Sequence, residues 1–307
     1  MIPKRLMPGD TIGIISPSDP VTPDLESRLQ AGITVLQSMG FQVKPGKHIR
    51  SQSLGYTATP EEKAEDINTL FADPEVKGII CTQGGDTANA PLSLLDWDVI
   101  RSNPKIFLGI SDITVLLNAF HQQTSLVTFH GNDILWGFGH NMTDYEFDEF
   151  DQIIMKGRLD PIPPNRPRCM VRSGAATGKL LGGNLRCLLK LAGTPYWPDF
   201  SDAILFVEAY TISLKACHNA FHQFHQMGVF DQIRGAIVGY IDGMQRDGGE
   251  RPHMEDILLE VTREYSFPIL KMNDFGHNCP NTVLPVGGQI SLSADQQIFE
   301  IISPCVL

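Results

Sequence analysis

Lys105-Ile-Phe-Leu-Gly-Ile-Ser111-Asp-Ile-Thr114 is the stretch on which the fold turns. Its apolar run, Ile106 to Ile110, reads as a buried strand, and the residues after it, Asp112 to Phe120, carry apolar side chains at helical spacing. Ser111 therefore falls on the turn between strand and helix. A serine at such a corner has two readings. It can simply cap the helix, Ser being a preferred N-cap residue. It can also be a hydroxyl nucleophile. The corner lifts the oxygen clear of the sheet, and the new helix offers free N–H groups and its positive dipole end to an oxyanion.

Toward the N-terminus, Thr11 to Ser16 is a β-branched run ending in Ser-Pro-Ser-Asp, and Pro23 to Met39 reads as an amphipathic helix closed by Gly40. Phe41 to Lys44 is a second strand. Thr59-Pro60-Glu61-Glu62 combines an N-cap residue, a proline at the first helical position and acids in the first turn, so a helix is predicted from there to about Ala72. Val76 to Thr82 is the next strand, followed by Gln83-Gly-Gly-Asp86. Strands alternating with helices in this way predict an α/β fold with a mostly parallel sheet covered on both faces. Ligands bind such sheets at the carboxyl ends of the strands, which is where Gly84, Gly85 and Ser111 fall.

Toward the C-terminus, Leu126 to Gly131 is a strand running into His-Gly-Asn-Asp, and a peripheral aromatic segment (Trp136, Phe138, Tyr145, Phe147, Phe150) follows. Pro161, Pro163, Pro164 and Pro167 mark a change of composition. The expected division is a domain over 1–155 with Ser111, a linker over 156–172 and a second domain over 173–307. The second domain is predicted to hold strands at Ala203 to Glu208, Gly235 to Tyr240 and Pro268 to Met272. A loop from Asn273 to Asn281 and a final hairpin, Gly288 to Ser293 with Gln297 to Ile302, complete it.

Composition excludes several classes. Of 307 residues 42% are hydrophobic and 19% charged, as in ordinary globular proteins, so disordered and fibrous chains are out. A net charge of −11 opposes nucleic acid or an anionic membrane as partner, since both call for clustered Lys and Arg. The N-terminus lacks the apolar core of a signal peptide, and no run approaches the ~18 apolar residues of a membrane span, so a cytoplasmic location is expected. Six cysteines without C-x-x-C spacing indicate neither a zinc site nor a disulfide framework.

The chemistry-bearing residues are few. Glu208 closes an apolar run and would emerge at a strand end, where a half-desolvated carboxylate needs a partner. His277 stands on a Gly-His-Asn-Cys-Pro loop after a predicted strand, a place where catalytic residues concentrate. Each also has a structural reading, as an ion-pair member and a surface turn residue. Gly84 and Gly85 either make a turn or let backbone N–H groups approach an oxyanion. They do not meet the dinucleotide fingerprint, and Gly174-Ala-Ala-Thr-Gly178-Lys179 fails as a phosphate loop because only three residues separate its glycines where four are required. His218, His222 and His225 share a helix face without a His-Glu-x-x-His pattern, so a half-buried face or a subunit contact is expected rather than a metal site.

Taken together, Gly-Asp-Thr-Ile-Gly-Ile-Ile-Ser-Pro-Ser (9–18), Gln-Gly-Gly-Asp (83–86), Leu-Gly-Ile-Ser-Asp (108–112), Leu-Gly-Gly-Asn-Leu (181–185), Gly-Thr-Pro-Tyr (193–196), Ile-Leu-Phe-Val-Glu (204–208), Gly-Val-Phe-Asp (228–231) and Gly-His-Asn-Cys-Pro-Asn with Leu-Pro-Val-Gly (276–287) resemble, in order, the LD-carboxypeptidase family of serine peptidases (family S66). That family contains muramoyltetrapeptide carboxypeptidases and microcin C self-immunity peptidases. The resemblance implies a Rossmann-like parallel-sheet N-terminal domain, a smaller β-rich α/β C-terminal domain, a site in the cleft between them and a homodimer. It implies Ser111 as nucleophile, His277 as general base, Glu208 as its orienting partner and the N–H groups of Gly85 and Asp112 as oxyanion hole. Gly84 and Trp136 are the expected substrate contacts, with no metal or cofactor.

The implied reaction is hydrolysis of an L,D-peptide bond in murein tetrapeptides with release of D-alanine. The alternative is hydrolysis of aminoacyl or peptidyl nucleotides, for which the aromatics from Trp136 to Phe150 and Trp197 would stack a base. Family members commonly carry an acid after the triad glutamate, where this chain has Ala209. Two readings outside the family are an α/β-hydrolase esterase, opposed by Ile113 at the elbow's second glycine position, and a ligand-binding protein on an open α/β scaffold.

Overall fold

A computed structural model of the chain describes residues 1–245 and 250–307. Five strands, β1 (Thr11–Ile15), β2 (Gln42–Pro45), β3 (Val76–Cys81), β4 (Ile106–Gly109) and β5 (Thr128–His130), run parallel in the order β2-β1-β3-β4-β5. They alternate with α1 (Glu26–Ser38), α2 (Pro60–Ala72), α3 (Trp97–Ser102) and α4 (Thr114–Thr124), and α5 (Asp144–Phe150) follows. Local signals fix the starts. Thr59 accepts from the Glu62 N–H while the Glu62 carboxylate accepts from the Thr59 N–H, with Pro60 in the first turn, as its sequence predicts. The parallel sheet on which the reading of Ser111 rests is therefore present, and its order reverses between β1 and β3, the kind of point where doubly wound sheets bind ligands.

A second sheet contains β6 (Cys169–Arg172), β7 (Ala175–Asn184), β8 (Ala203–Ala209), β9 (Gly235–Ile241), β10 (Ile269–Gly276), β12 (Gln289–Ser293) and β13 (Ile298–Ile301) in the order β13-β12-β7-β8-β9-β10-β6. The central four strands are parallel and the outer three antiparallel. Between β10 and β12 the chain leaves this sheet. There β11 (Leu284–Val286) adds to the first sheet, pairing antiparallel with β5 through Leu284 and His130. Among the described residues this half of the chain adds the α-helices α6 (Leu185–Leu189), α7 (Leu214–Gln226), α8 (Val229–Gln232) and α9 (Met254–Val261).

Three local expectations differ from the structure. β10 runs on to Gly276, through residues read as loop, because the carboxylate of Asp274 is buried against Arg168 at 2.7 Å and also accepts from the Asn165 N–H. A polar residue so paired can stay inside a sheet. The segment after β5 is not peripheral. Phe138 and Phe150 are core residues, and only Trp136 is half exposed. Finally, α7 buries Cys217, Ala220, Phe221 and Phe224 and leaves His218, His222 and His225 exposed. The described residues contain no group of three or more potential metal ligands.

Candidate active site

Strand β4 ends at Gly109, and Ser111 opens a single 3-10 turn, Ser111–Ile113, that leads into α4. Its φ is 64°, in the left-handed region that non-glycine residues rarely occupy. Such strain persists only where the surroundings impose it, and it is concentrated at functional sites. Here the imposing neighbour is the Gln83-Gly84-Gly85 loop. A methyl group added at Gly84 would lie 2.6 Å from Ser111 Cβ, 2.8 Å from its Oγ and 3.1 Å from the Asp112 nitrogen. Only a glycine permits this approach. Gly85 has φ 141° and packs so closely on Asp19 that a methyl there would lie 2.2 Å from its Oδ1.

Asp112 is fully buried, and its carboxylate is held from three sides. Ser18 Oγ and the Ala88 N–H donate to Oδ2 at 2.7 and 2.8 Å, and Lys190 Nζ donates to Oδ1 at 2.5 Å. Lys190 follows α6, so a residue of the second half of the chain ties down the residue after Ser111. Lys63, buried beneath the same loops, donates to Thr87 Oγ1 at 2.6 Å. Burial pushes its ammonium down to about 8, against the pull of Asp19 and Asp112.

Glu208 and His277 meet at the ends of β8 and β10. All seven residues of β8 are buried, Glu208 included. His277 Nδ1 lies 2.6 Å from Glu208 Oε2, and Asn184 Nδ2 donates to Oε1 at 3.0 Å. Burial works to raise the carboxyl, but the charge and hydrogen bond of His277 outweigh it and hold Glu208 below its usual range. Burial likewise works to lower His277, and the charge and hydrogen bond of Glu208 carry it above the usual imidazole value. The pair is thus a carboxylate facing a basic imidazole. The Gly276 N–H, just before His277, donates to Asn281 Oδ1 at 2.8 Å and anchors the imidazole's backbone. Tyr210, 46% exposed, places its ring centroid 5.1 Å from that of His277.

A covalent and hydrogen-bonded path links Ser111 to this pair. Three residues after Ser111, Thr114 Oγ1 accepts from the Asn184 N–H at 2.9 Å, and one turn later Asn118 exchanges bonds with both the C=O and N–H of Gly182. The glycine pair makes room: a methyl at Gly183 would lie 2.4 Å from Thr114 Oγ1. Asn184 then reaches Glu208, and Glu208 reaches His277. Helix α4 and the ends of β7, β8 and β10 form one connected assembly.

Of the residues singled out in sequence, Ser111, Gly84, Gly85 and Asp112 cluster on one side, and Glu208 pairs with His277 on the other. Trp136, 51% exposed, donates its Nε1 hydrogen to Gln83 Oε1 at 3.2 Å, beside Gly84, and stacks on the Arg28 guanidinium at 4.1 Å. The sequence reading missed Thr114, Asn118, Asn184, Lys190 and Tyr210 as parts of this assembly. Only Asn184 carried a signal, as the residue closing the Leu181-Gly-Gly-Asn run. A shallow hollow of about 640 Å³ elsewhere, lined by Asn68 and 93–98, holds none of these groups.

A serine on a strained strand-to-helix corner, with a buried carboxylate paired to a half-buried imidazole in the same fold, is an arrangement found in serine-type hydrolases. Residues 12–131 match the LD-carboxypeptidase N-terminal domain and residues 177–292 the LD-carboxypeptidase C-terminal domain. The chain belongs to the LD-carboxypeptidase family, peptidase family S66, and is a serine-type peptidase. It is 31% identical to a probable murein peptide carboxypeptidase of Bacillus subtilis, covering 96% of this chain and 92% of that one. It is 29% identical to the microcin C7 self-immunity protein MccF of Escherichia coli, over 98% and 95%. Among solved structures, MccF in complex with glutamyl sulfamoyl guanosine superposes with a TM-score of 0.91 at 27% identity, covering 100% of this chain and 99% of that one.

Proposed function

We propose that Ser111, His277 and Glu208 form a catalytic triad that hydrolyses an L,D-peptide bond in murein tetrapeptides, releasing the C-terminal D-alanine. The observation that carries this is the 2.6 Å contact between the buried Glu208 and Nδ1 of the half-buried His277, which leaves the imidazole's Nε2 as the base. His277 takes the Ser111 proton as Oγ attacks the scissile carbonyl, and the imidazolium so formed is stabilised by Glu208. The N–H groups of Gly85 and Asp112 receive the oxyanion. His277 returns its proton to the departing amine, and water, activated by the same imidazole, hydrolyses the acyl-enzyme. No metal or cofactor takes part in this scheme. Similarity to a probable murein peptide carboxypeptidase supports the substrate class. The division into 1–155, 156–172 and 173–307, a homodimer and a cytoplasmic site of action belong to the same proposal.

A second substrate class, aminoacyl or peptidyl nucleotides, is favoured by two observations. Similar structures are complexes of MccF with glutamyl sulfamoyl guanosine and aspartyl sulfamoyl adenosine. In this chain the half-exposed rings of Trp136 and Tyr210 flank the Gly84 loop and His277, positions from which an aromatic base can be stacked. The experiment is incubation of the protein with a muramoyl tetrapeptide and with an aspartyl sulfamoyl adenosine, each followed by mass spectrometry. Loss of D-alanine from the first, abolished in Ser111→Ala, is the expected result. Cleavage of the second alone selects the alternative, and cleavage that survives Ser111→Ala refutes the triad.

A further inference from the structure

His130 ends β5 and is completely buried, yet among the described residues neither of its ring nitrogens has a hydrogen-bond partner. A neutral imidazole carries one N–H donor and one lone pair, and leaving a buried polar group unpaired is costly, so such a group in a native core calls for an explanation. Its surroundings are specific. Its backbone pairs with Gly109, two residues before Ser111, and with Leu284 of β11. Its ring meets Phe206 and Phe275 edge to face, with centroids 5.3 and 6.1 Å away. Phe206 lies two residues before Glu208 on β8, and Phe275 two residues before His277 on β10. The His130 ring thus packs against residues of both strands that lead to the carboxylate and the imidazole, β8 and β10, which flank β9 in the second sheet.

The Glu208 carboxylate, two residues beyond Phe206, has acceptor capacity to spare. Glu208 is fully buried and accepts one hydrogen bond at each oxygen, from His277 and Asn184. An ionised carboxylate has about four acceptor sites. An unused donor and a carboxylate with spare acceptor capacity therefore lie in the same region of the core, and Glu208 and His277 are the charged groups that act on the His130 ring. Pairing them takes a ring rotation or a bridging water.

We propose that His130 is a positioning residue of the triad, its ring N–H serving as the further donor that holds the Glu208 carboxylate in line with His277. This rests on the triad reading above. Burial pushes the His130 imidazole down to about 4, with Glu208 pulling it back, so the ring is uncharged at neutral pH and acts as a dipole rather than as a second cation. The charged groups facing His277 itself are Glu208 from β8, Asp133 from the segment after β5, and Asp242 from the turn after β9. Losing the His130 donor leaves Glu208 less well solvated. It then holds the imidazolium proton of His277 more tightly, and His277 titrates at higher pH.

The test compares His130→Phe, which keeps a ring without a donor, with His130→Gln, which keeps an uncharged N–H. His277 is followed by nuclear magnetic resonance in the substrate-free protein. The expected result is an upward shift of the His277 titration by about 0.5–1 pH unit in His130→Phe, restored toward the native value in His130→Gln. On a cleaved substrate, kcat falls about tenfold in the Phe variant with little change in KM. An unmoved His277 titration in His130→Phe, or an equal shift in both variants, overturns the proposal. Should His130→Phe not fold, the native protein and Glu208→Gln decide. The nitrogen shifts of His130 must respond to Glu208→Gln, and insensitivity overturns the proposal. None of these titrations uses a substrate, so they stand apart from the Ser111→Ala test of the triad.

Discussion

Gly84→Ala isolates the role of the glycine loop in placing the nucleophile. The added methyl would lie 2.6 Å from Ser111 Cβ and 2.8 Å from Oγ. Ordinary carbon contacts fall at about 3.5–4.0 Å, so the loop and the serine must separate by roughly 1 Å. Gly84 has no left-handed φ, and the alanine backbone itself is unstrained. The cost therefore falls on the contact. Overpacking of this kind costs about 1–3 kcal/mol of stability, which a chain of this size can tolerate, whereas a 1 Å displacement of a reacting group costs about a hundredfold in rate. The assay is the rate of covalent labelling by a fluorophosphonate, which reports the Ser111 hydroxyl without assuming a substrate, beside a thermal melt. The expected outcome is a fall of about a hundredfold in labelling in a folded protein. A labelling rate within about threefold of the native protein, with the fold intact, refutes the reasoning that the Gly84 approach sets the position of Ser111.

Three further outcomes are expected. The base must be neutral to accept the Ser111 proton, so activity rises with pH through the raised value of His277, above the usual imidazole value of about 6.5. A pH–rate profile whose acid limb lies below that value contradicts the pairing. The stability linked to the same raised imidazole is fully present below its unfolded value and is lost as pH rises through the folded one, which urea titrations across that range will register. Asn184→Ala removes both a donor to Glu208 and the cap that accepts from the Cys187 N–H, and should lower stability by about 2–4 kcal/mol while reducing kcat more than it changes KM. Lys190→Met strands the buried Asp112 carboxylate. With Lys190 itself 24% exposed, the expected loss is about 1–3 kcal/mol by urea titration, accompanied by slower labelling of Ser111.

Much of the N-terminal sheet was legible because its signals are local. The capping box at Thr59, the apolar run Ile106 to Ile110 and the alternation of strand and helix each act within a few residues. The reach of β10 was not legible, since Asp274 stays in the strand only through Arg168, a partner more than a hundred residues away. The same limit applies to Thr114 and Asn184. One looks like an ordinary helix-start residue and the other like a turn residue, and only their 2.9 Å contact gives them a shared task.

By itself the amino-acid order determined the alternating architecture, the corner on which Ser111 sits and, through short motifs in sequence, the family. These depend on periodicity, caps and glycines, whose physics is confined to neighbouring residues. Tertiary structure alone decided that β11 returns to the first sheet, that Lys190 grips Asp112, and that a fully buried Glu208 finds His277 at 2.6 Å. Those are encounters between distant segments, and their energies arise from desolvation and charge pairing that exist only once folding has brought those segments together.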